Sequence, residues 1–329
     1  MRRRSIVLVV PILFLAAAAL FFVLRAPMAE NRSPSTKPVV SGAAGTATKP
    51  ATTIKTTTHA AKLKTIASEP LPPDGTPLTK ILDDLKARAE DGDAPAASRL
   101  FHDLGTCSTL REVKRTLPRQ IPHALERDTK DMTPEQLKHQ EAWLDLLEKE
   151  NAFVDKNQAL CEGVGDAQLV DFVPATLQAA QLGDHQAINC YIGRELMMTP
   201  GLLDHPEWLS QFKENAVPLA ESAVQQGDWA AAGMLAQAYA GTFSSSLLAQ
   251  ATGTDPAKSY GYLRLERLGA TGDFATRLDR RLADAAQGLS PAQIGDAEAW
   301  AQSTYTNAFG GAPSGGPAES WRTCDFMEH

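Results

Sequence analysis

Apolar and polar positions keep three different rhythms along the chain. Residues 5–24 (SIVLVVPILFLAAAALFFVL) carry no charge at all, and at about 1.5 Å rise per residue a helix of this length spans roughly 30 Å, the thickness of a bilayer core. Residues 26–77 scatter isolated aliphatics among Thr, Ala, Pro, Ser and Lys without one Phe, Trp or Tyr. Such a stretch cannot bury enough apolar surface to offset the entropy of ordering, so it reads as a disordered linker. From Leu78 the spacing becomes helical: Leu78, Ile81, Leu82, Leu85 and Ala89 fall at intervals of three and four, one apolar face. The face stops at Gly92-Asp93, and a second helical pattern begins at Ala94. Gly suits the left-handed turn after a helix, and Asp suits the cap of the next one.

This Gly-Asp hinge recurs at Gly183-Asp184, Gly227-Asp228 and Gly272-Asp273, at steps of 44 and 45 residues, after a first interval of 91, close to two such units. Periods of this size predict an all-α superhelix of stacked antiparallel hairpins. Around the third hinge Ala220, Ala223, Ala231, Ala232, Gly233 and Ala238 are small enough for helix backbones to approach closely. Leu219, Val224, Leu235 and Tyr239 fill the gaps between hairpins.

The order Gly227-Asp228, an Ala-rich helix ending at Tyr239-Ala240-Gly241, the stretch Asp255-Pro-Ala-Lys-Ser-Tyr260 and a helix closing on Gly272-Asp273 resembles a Sel1-like repeat, a relative of the tetratricopeptide repeat. A second partial copy runs from Gly163-Val164 through Ala179-Ala180 to Gly183-Asp184. The loop after Gly241 lacks the Gly-Val signature, and residues 108–150 hold no Gly-Asp hinge. The resemblance implies a right-handed helical superhelix that serves as a scaffold for protein contacts, often in bacterial envelopes.

A shorter echo pairs Thr133-Pro-Glu-Gln136 with Ser290-Pro-Ala-Gln293, each followed by a tryptophan, Trp143 or Trp300. Ser or Thr, then Pro, then Gln is a capping box, so each stretch starts a helix. The tryptophans are expected to pack helices rather than to line a ligand site.

Charge divides the molecule. Through residue 77 the chain has ten Lys or Arg against three Asp or Glu; the remainder of the 32 and 39 gives 22 against 36, a net of −14. An acidic body argues against a nucleic-acid partner. Three arginines precede the uncharged run and only Arg25 follows it closely. The positive-inside rule then keeps the N-terminus in the cytoplasm and sends the body across, anchored through residues 5–24. A cleaved signal peptide is the rival reading, but the run is long and Arg25-Ala26-Pro27-Met28 is a poor cleavage site. The organisation expected is an anchor over 1–25, a linker over 26–77, a repeat body over 78–310 and a Gly/Pro-rich tail over 311–329, carried on a bacterial inner membrane with the body in the periplasm.

All four cysteines lie beyond the uncharged run, an even number in a compartment that permits disulfides. Cys107 and Cys161 sit near apparent helix ends, where a brace between hairpins is easy. Cys190 with Cys324 follows by elimination, the alternative for Cys190 being a buried free thiol. No nucleophile elbow, zinc-protease motif, phosphate-binding loop or dinucleotide fingerprint is present, and the histidines stand at no ligand spacing. The expected function is therefore a non-catalytic interaction scaffold without cofactor, docking an envelope protein or peptide. The alternative is a cell-wall enzyme or glycan-binding module. The concave wall of such a stack is lined by the helices that follow the hinges. That assigns a partner groove to Arg99, His102, Asn189, Tyr191, Arg194, Trp229, Gln237, Arg277 and Arg281, suited to an acidic or extended peptide.

Overall fold

The computed structural model describes residues 70–193, 204–241, 246–314, 316 and 324–327. The proposed anchor and most of the linker lie outside these residues, and so does Arg194. Among the described residues no helix is long and apolar enough to cross a membrane.

Every regular element described is a helix. In chain order these are α1 (Leu78–Glu90), α2 (Ala94–Leu125), α3 (Pro134–Asn157), α4 (Asp166–Leu169), α5 (Phe172–Gln181), α6 (His185–Ile192), α7 (Pro206–Gln225), α8 (Trp229–Tyr239), α9 (Leu247–Thr252), α10 (Pro256–Gly269), α11 (Gly272–Ala286) and α12 (Pro291–Asn307). The apolar face foreseen on the first helix is the one α1 buries: Leu78, Ile81, Leu82, Leu85 and Ala89.

Three of the four hinges share one construction. Gly92, Gly183 and Gly227 hold φ of +89°, +95° and +87°, the left-handed region that a side chain disfavours. In each, the glycine N–H returns to a carbonyl three residues back (Ala89, Ala180, Val224) and the aspartate N–H to one five back (Arg88, Ala179, Ala223). This is the pattern of a Schellman motif. The same aspartate then turns its side chain forward, where Oδ1 accepts from the N–H of Ala96, Ala187 or Ala231 at 3.3, 2.8 and 3.0 Å. One residue thus closes one helix and caps the next. The second oxygen ties neighbouring hairpins together. Asp184 accepts from the Ser98 hydroxyl, and Asp228 accepts from Asn189 Nδ2 at 2.8 Å. Ser98 and Asn189 each stand five residues after their own hinge aspartate, so the two links are in register.

The fourth hinge is built differently. α10 ends at Gly269, Thr271 is the N-cap without a side-chain hydrogen bond, and Gly272 is itself the first helical residue. Asp273 sits in the first turn and does not cap. A second departure is α2, which begins at Ala94 as the pattern foresaw but runs 32 residues through Pro118 and Pro122. Its far half packs on α3 around a separate small cluster of Val113, Leu117, Ala124 and Leu147. Both capping boxes form, at Thr133 with Gln136 and at Ser290 with Gln293.

The hairpins α1–α2, α5–α6 and α7–α8 touch in sequence, α2 against α5 and α6 against α7, and α8 then packs on α10. One continuous core runs from Leu78 to Phe326. α10 makes its broadest packing with α12, not with α11. The cystines join Cys107 to Cys161 and Cys190 to Cys324.

Candidate functional site

The helices that follow the hinges, α2, α6, α8 and α11, do not present one open wall. Tyr191 is 1 % exposed and lies against Phe212. Its spacing to Ile188 and Ile192 sets it on the apolar face of α6, so it is a core residue and not a groove contact. Burial pushes its phenol up in pKa. Arg99 donates from Nε to Asp103 at 2.7 Å and from Nη1 to Asp74 at 2.8 Å, clamping the chain that enters α1. Asn189 Nδ2 donates to Asp228, as above, while its Oδ1 is buried without a hydrogen bond.

The C-terminal segment covers much of the rest. Phe326, 4 % exposed, sits among Phe101, His102 and Phe172 at centroid distances of 5.3, 6.2 and 5.9 Å. It rests on bare α2 backbone: a Cβ on Gly105 would collide with the Phe326 ring. Gln186 on α6 donates to the Asp325 carbonyl at 3.2 Å, and the Cys190–Cys324 bond fastens the same stretch. Farther along, Trp229 packs at 4.0 Å from Phe309, with the ring planes 40° apart, and leans over Gly269, where a Cβ would meet its ring at 2.6 Å. Ser314 N–H closes on the Gly269 carbonyl at 2.9 Å. Gln237 is half-buried. Arg277, 5.6 Å over the Phe274 ring, and Arg281 remain exposed on α11.

An open cleft lies elsewhere, among the helices α7, α10 and α12. It has a volume of about 610 Å³ and is lined by residues that include Glu221, Lys258, Tyr262, Gln293, Asp296 and Trp300. Each helix contributes positions three and four apart, the face it turns to its neighbours. Gly261 allows the close approach that forms the floor, since a Cβ there would already touch Trp300 Cε3 at 3.2 Å. Trp300 stands edge-to-face on Tyr262 at 4.8 Å, and Tyr262 stacks on Tyr239 at 5.8 Å. A polar relay closes the α7 end. Tyr239 Oη donates to Glu221 Oε1 at 3.2 Å, while Lys258 Nζ donates to that hydroxyl at 3.1 Å and to Glu221 at 3.5 Å.

The hydrogen bond to Tyr239 raises the Lys258 pKa, and burial raises those of Tyr239 and Tyr262. These groups therefore hold their protons at neutral pH: the cleft presents a fixed ammonium, the neutral Tyr262 phenol, the Trp300 indole, side-chain amides and the carboxylates of Glu221 and Asp296. That is equipment for holding a ligand. Sequence reasoning set Trp300 beside Trp143 as a packing residue. Trp143 does pack, against His123 at 5.7 Å, but Trp300 also lines the cleft. The echo of motifs around the two tryptophans carried no sign of this difference.

Among the described residues no group of three His, Cys, Asp or Glu could hold a metal ion. No protein-family model, no curated protein and no solved structure matches the chain.

Proposed function

We propose that this chain is a non-catalytic docking scaffold, a Sel1-like helical-repeat superhelix that binds an envelope protein or peptide in the cleft between α7, α10 and α12. The observation that carries the reading is the cleft itself, about 610 Å³ with Trp300 and Tyr262 in its wall and amides and carboxylates at its rim. Recognition sites have this make-up, an apolar wall with a few polar groups that fix orientation. The triplicate hinge at Gly92, Gly183 and Gly227 and the hairpin-to-hairpin links from Asp184 and Asp228 support the repeat. The two cystines support an oxidising compartment, in keeping with a periplasmic body tethered to the inner membrane through residues 5–24.

A photo-crosslinking residue placed in cells at Gln225 or Gln293 tests it, with Gln237 and Arg277 as positions on the opposite set of helices. Adducts to a defined segment of one protein from the two cleft positions are expected, with none from the other two. Adducts from Gln237 and Arg277 alone would overturn the assignment of the cleft.

A further inference from the structure

Resting on that docking reading, we infer that the cleft takes a cationic side chain, Arg or Lys, of an extended basic peptide segment, seated between the Trp300 indole and the Asp296 carboxylate. Asp296 and Trp300 are four residues apart on α12, hence neighbours on one helix face, and both line the cleft. The charges at the other end already answer one another, because Lys258 is held by Glu221 and Tyr239. Asp296 has no hydrogen bond or ion pair among the described residues and is exposed, so its charge is the one left for a ligand.

Indole is the strongest aromatic partner for a cation. A guanidinium can stack on the ring while its forked N–H groups reach a carboxylate, an arrangement open to Arg and, as a point charge, to Lys. Gln225 and Ser222 on α7 and the Gln293 amide nitrogen on α12 flank this position and can meet the peptide groups of an extended chain. The oxygen of Gln293 is already engaged in capping Ser290. An acidic segment would meet Asp296 and Glu221 instead, a like-charge juxtaposition that costs affinity. The body beyond residue 77 carries a net charge of −14, from 22 Lys or Arg against 36 Asp or Glu, and its field draws basic segments toward it. The ligand charge is thus opposite to the one that Arg99 on α2 and Arg277 and Arg281 on α11 suggest.

The test is calorimetric titration of the full chain at low ionic strength with an N-acetylated, C-amidated Gly-Ser-Arg-Gly-Lys-Ser-Gly peptide, and with the same peptide carrying Glu at both cationic positions. The basic peptide should bind and the acidic one should not. Asp296→Asn should weaken binding about 10-fold and flatten its salt dependence, and Trp300→Leu should weaken it about 10-fold, a change of the size expected for a single charge or stacking contact. Asp296 is exposed, so its variant should melt with the parent and report on binding alone. Equal affinity for the acidic peptide overturns the inference. So does unchanged affinity in both variants, or Trp300-dependent binding of a neutral cell-wall glycan fragment in place of the basic peptide. Should the cleft crosslink to an acidic or uncharged segment in cells, the charge inference falls and the docking reading stands. Should the cleft positions give no adduct at all, the docking reading falls first.

Discussion

The two sides of the helical stack differ in what has become of their surface. Three of the helices after the hinges, α2, α6 and α8, are covered by the protein's own C-terminal segment, with Phe326 over α2, Asp325 bonded to Gln186 of α6 and Phe309 over Trp229. α7 and α10, each the helix before a hinge, leave an open cleft where they diverge from α12. Composition pointed the other way, since Arg99 and the half-buried Trp229 lie on the covered helices. The difference teaches that a wall rich in binding-competent side chains can be satisfied from within. Arg99 has its carboxylates, the Asn189 amide nitrogen has Asp228, and His102 has an aromatic neighbour from the tail. Asn189 Oδ1 and the Tyr191 hydroxyl also lack a partner but are buried, whereas Asp296 beside Trp300 is an exposed charge without one in an open cleft.

Cutting the cover should have the largest effect. Replacing Cys190 and Cys324 by Ser removes a bridge that spans 134 residues, and chain entropy sets the expected loss at about 3–5 kcal/mol. Hydrogen exchange should then speed up around Phe101, Phe172 and Ile188 while residues 257–262 stay protected. Equal loosening of both regions would show that the tail supports the whole stack and does not merely cover one side.

Next comes Glu266 on α10, which is 6 % exposed with Oε2 unpartnered. Burial lifts its pKa to about 7, against the opposing pull of Arg281. Below the ordinary carboxyl value both folded and unfolded chains hold this proton, so there is no difference between them. As pH rises toward 7 the unfolded chain releases the proton while the folded one keeps it, and stability falls. Glu266→Gln should abolish that slope, leaving the variant about 3 kcal/mol more stable than the parent at pH 8 and equal to it at pH 4. Denaturant melts at the two pH values measure it, and a variant less stable at pH 8 would contradict the burial described.

A smaller contrast separates two hinges of identical design. Gly227→Ala places a Cβ 2.8 Å from the Ala308 carbonyl oxygen of the covering segment, whereas Gly183→Ala meets nothing within 4 Å. Both suffer the left-handed backbone, about 1 kcal/mol, and only the first adds a clash with main chain, for a total of about 2–3 kcal/mol. Equal thermal melts of the two variants would mean that the segment yields freely. The smallest effect belongs to Arg277→Ala with Arg281→Ala. Both residues are exposed, and their joint removal should shift stability by no more than about 0.5 kcal/mol and leave peptide titrations unchanged.

What the sequence revealed was local. The hinges at 92, 183 and 227 were legible because a left-handed Gly and a capping Asp are adjacent and both act within one turn. The same two letters at 272 misled, because α10 stops at Gly269 under the Trp229 ring and Thr271 takes over as the cap. The second half of α2 was hidden by Pro118 and Pro122, which ordinarily end a helix. Here both are exposed on the outer face while Val113, Leu117 and Ala124 hold the inner one against Leu147. The cleft was invisible in the sequence since it is assembled from three helix faces separated by some 30 residues each, none distinctive alone. The tail has no periodicity to read, and only the pairing of Cys324 with Cys190 hinted that it folds back.

Hydrogen–deuterium exchange of the full chain, with and without saturating Gly-Ser-Arg-Gly-Lys-Ser-Gly peptide, tests the central claim most directly. Protection confined to residues 219–225, 257–262 and 293–300, with none in α2, α6 or α8, is the predicted result. Protection of α2 and α6 with displacement of residues 324–327, and none at 293–300, would contradict it and return the binding site to the covered wall.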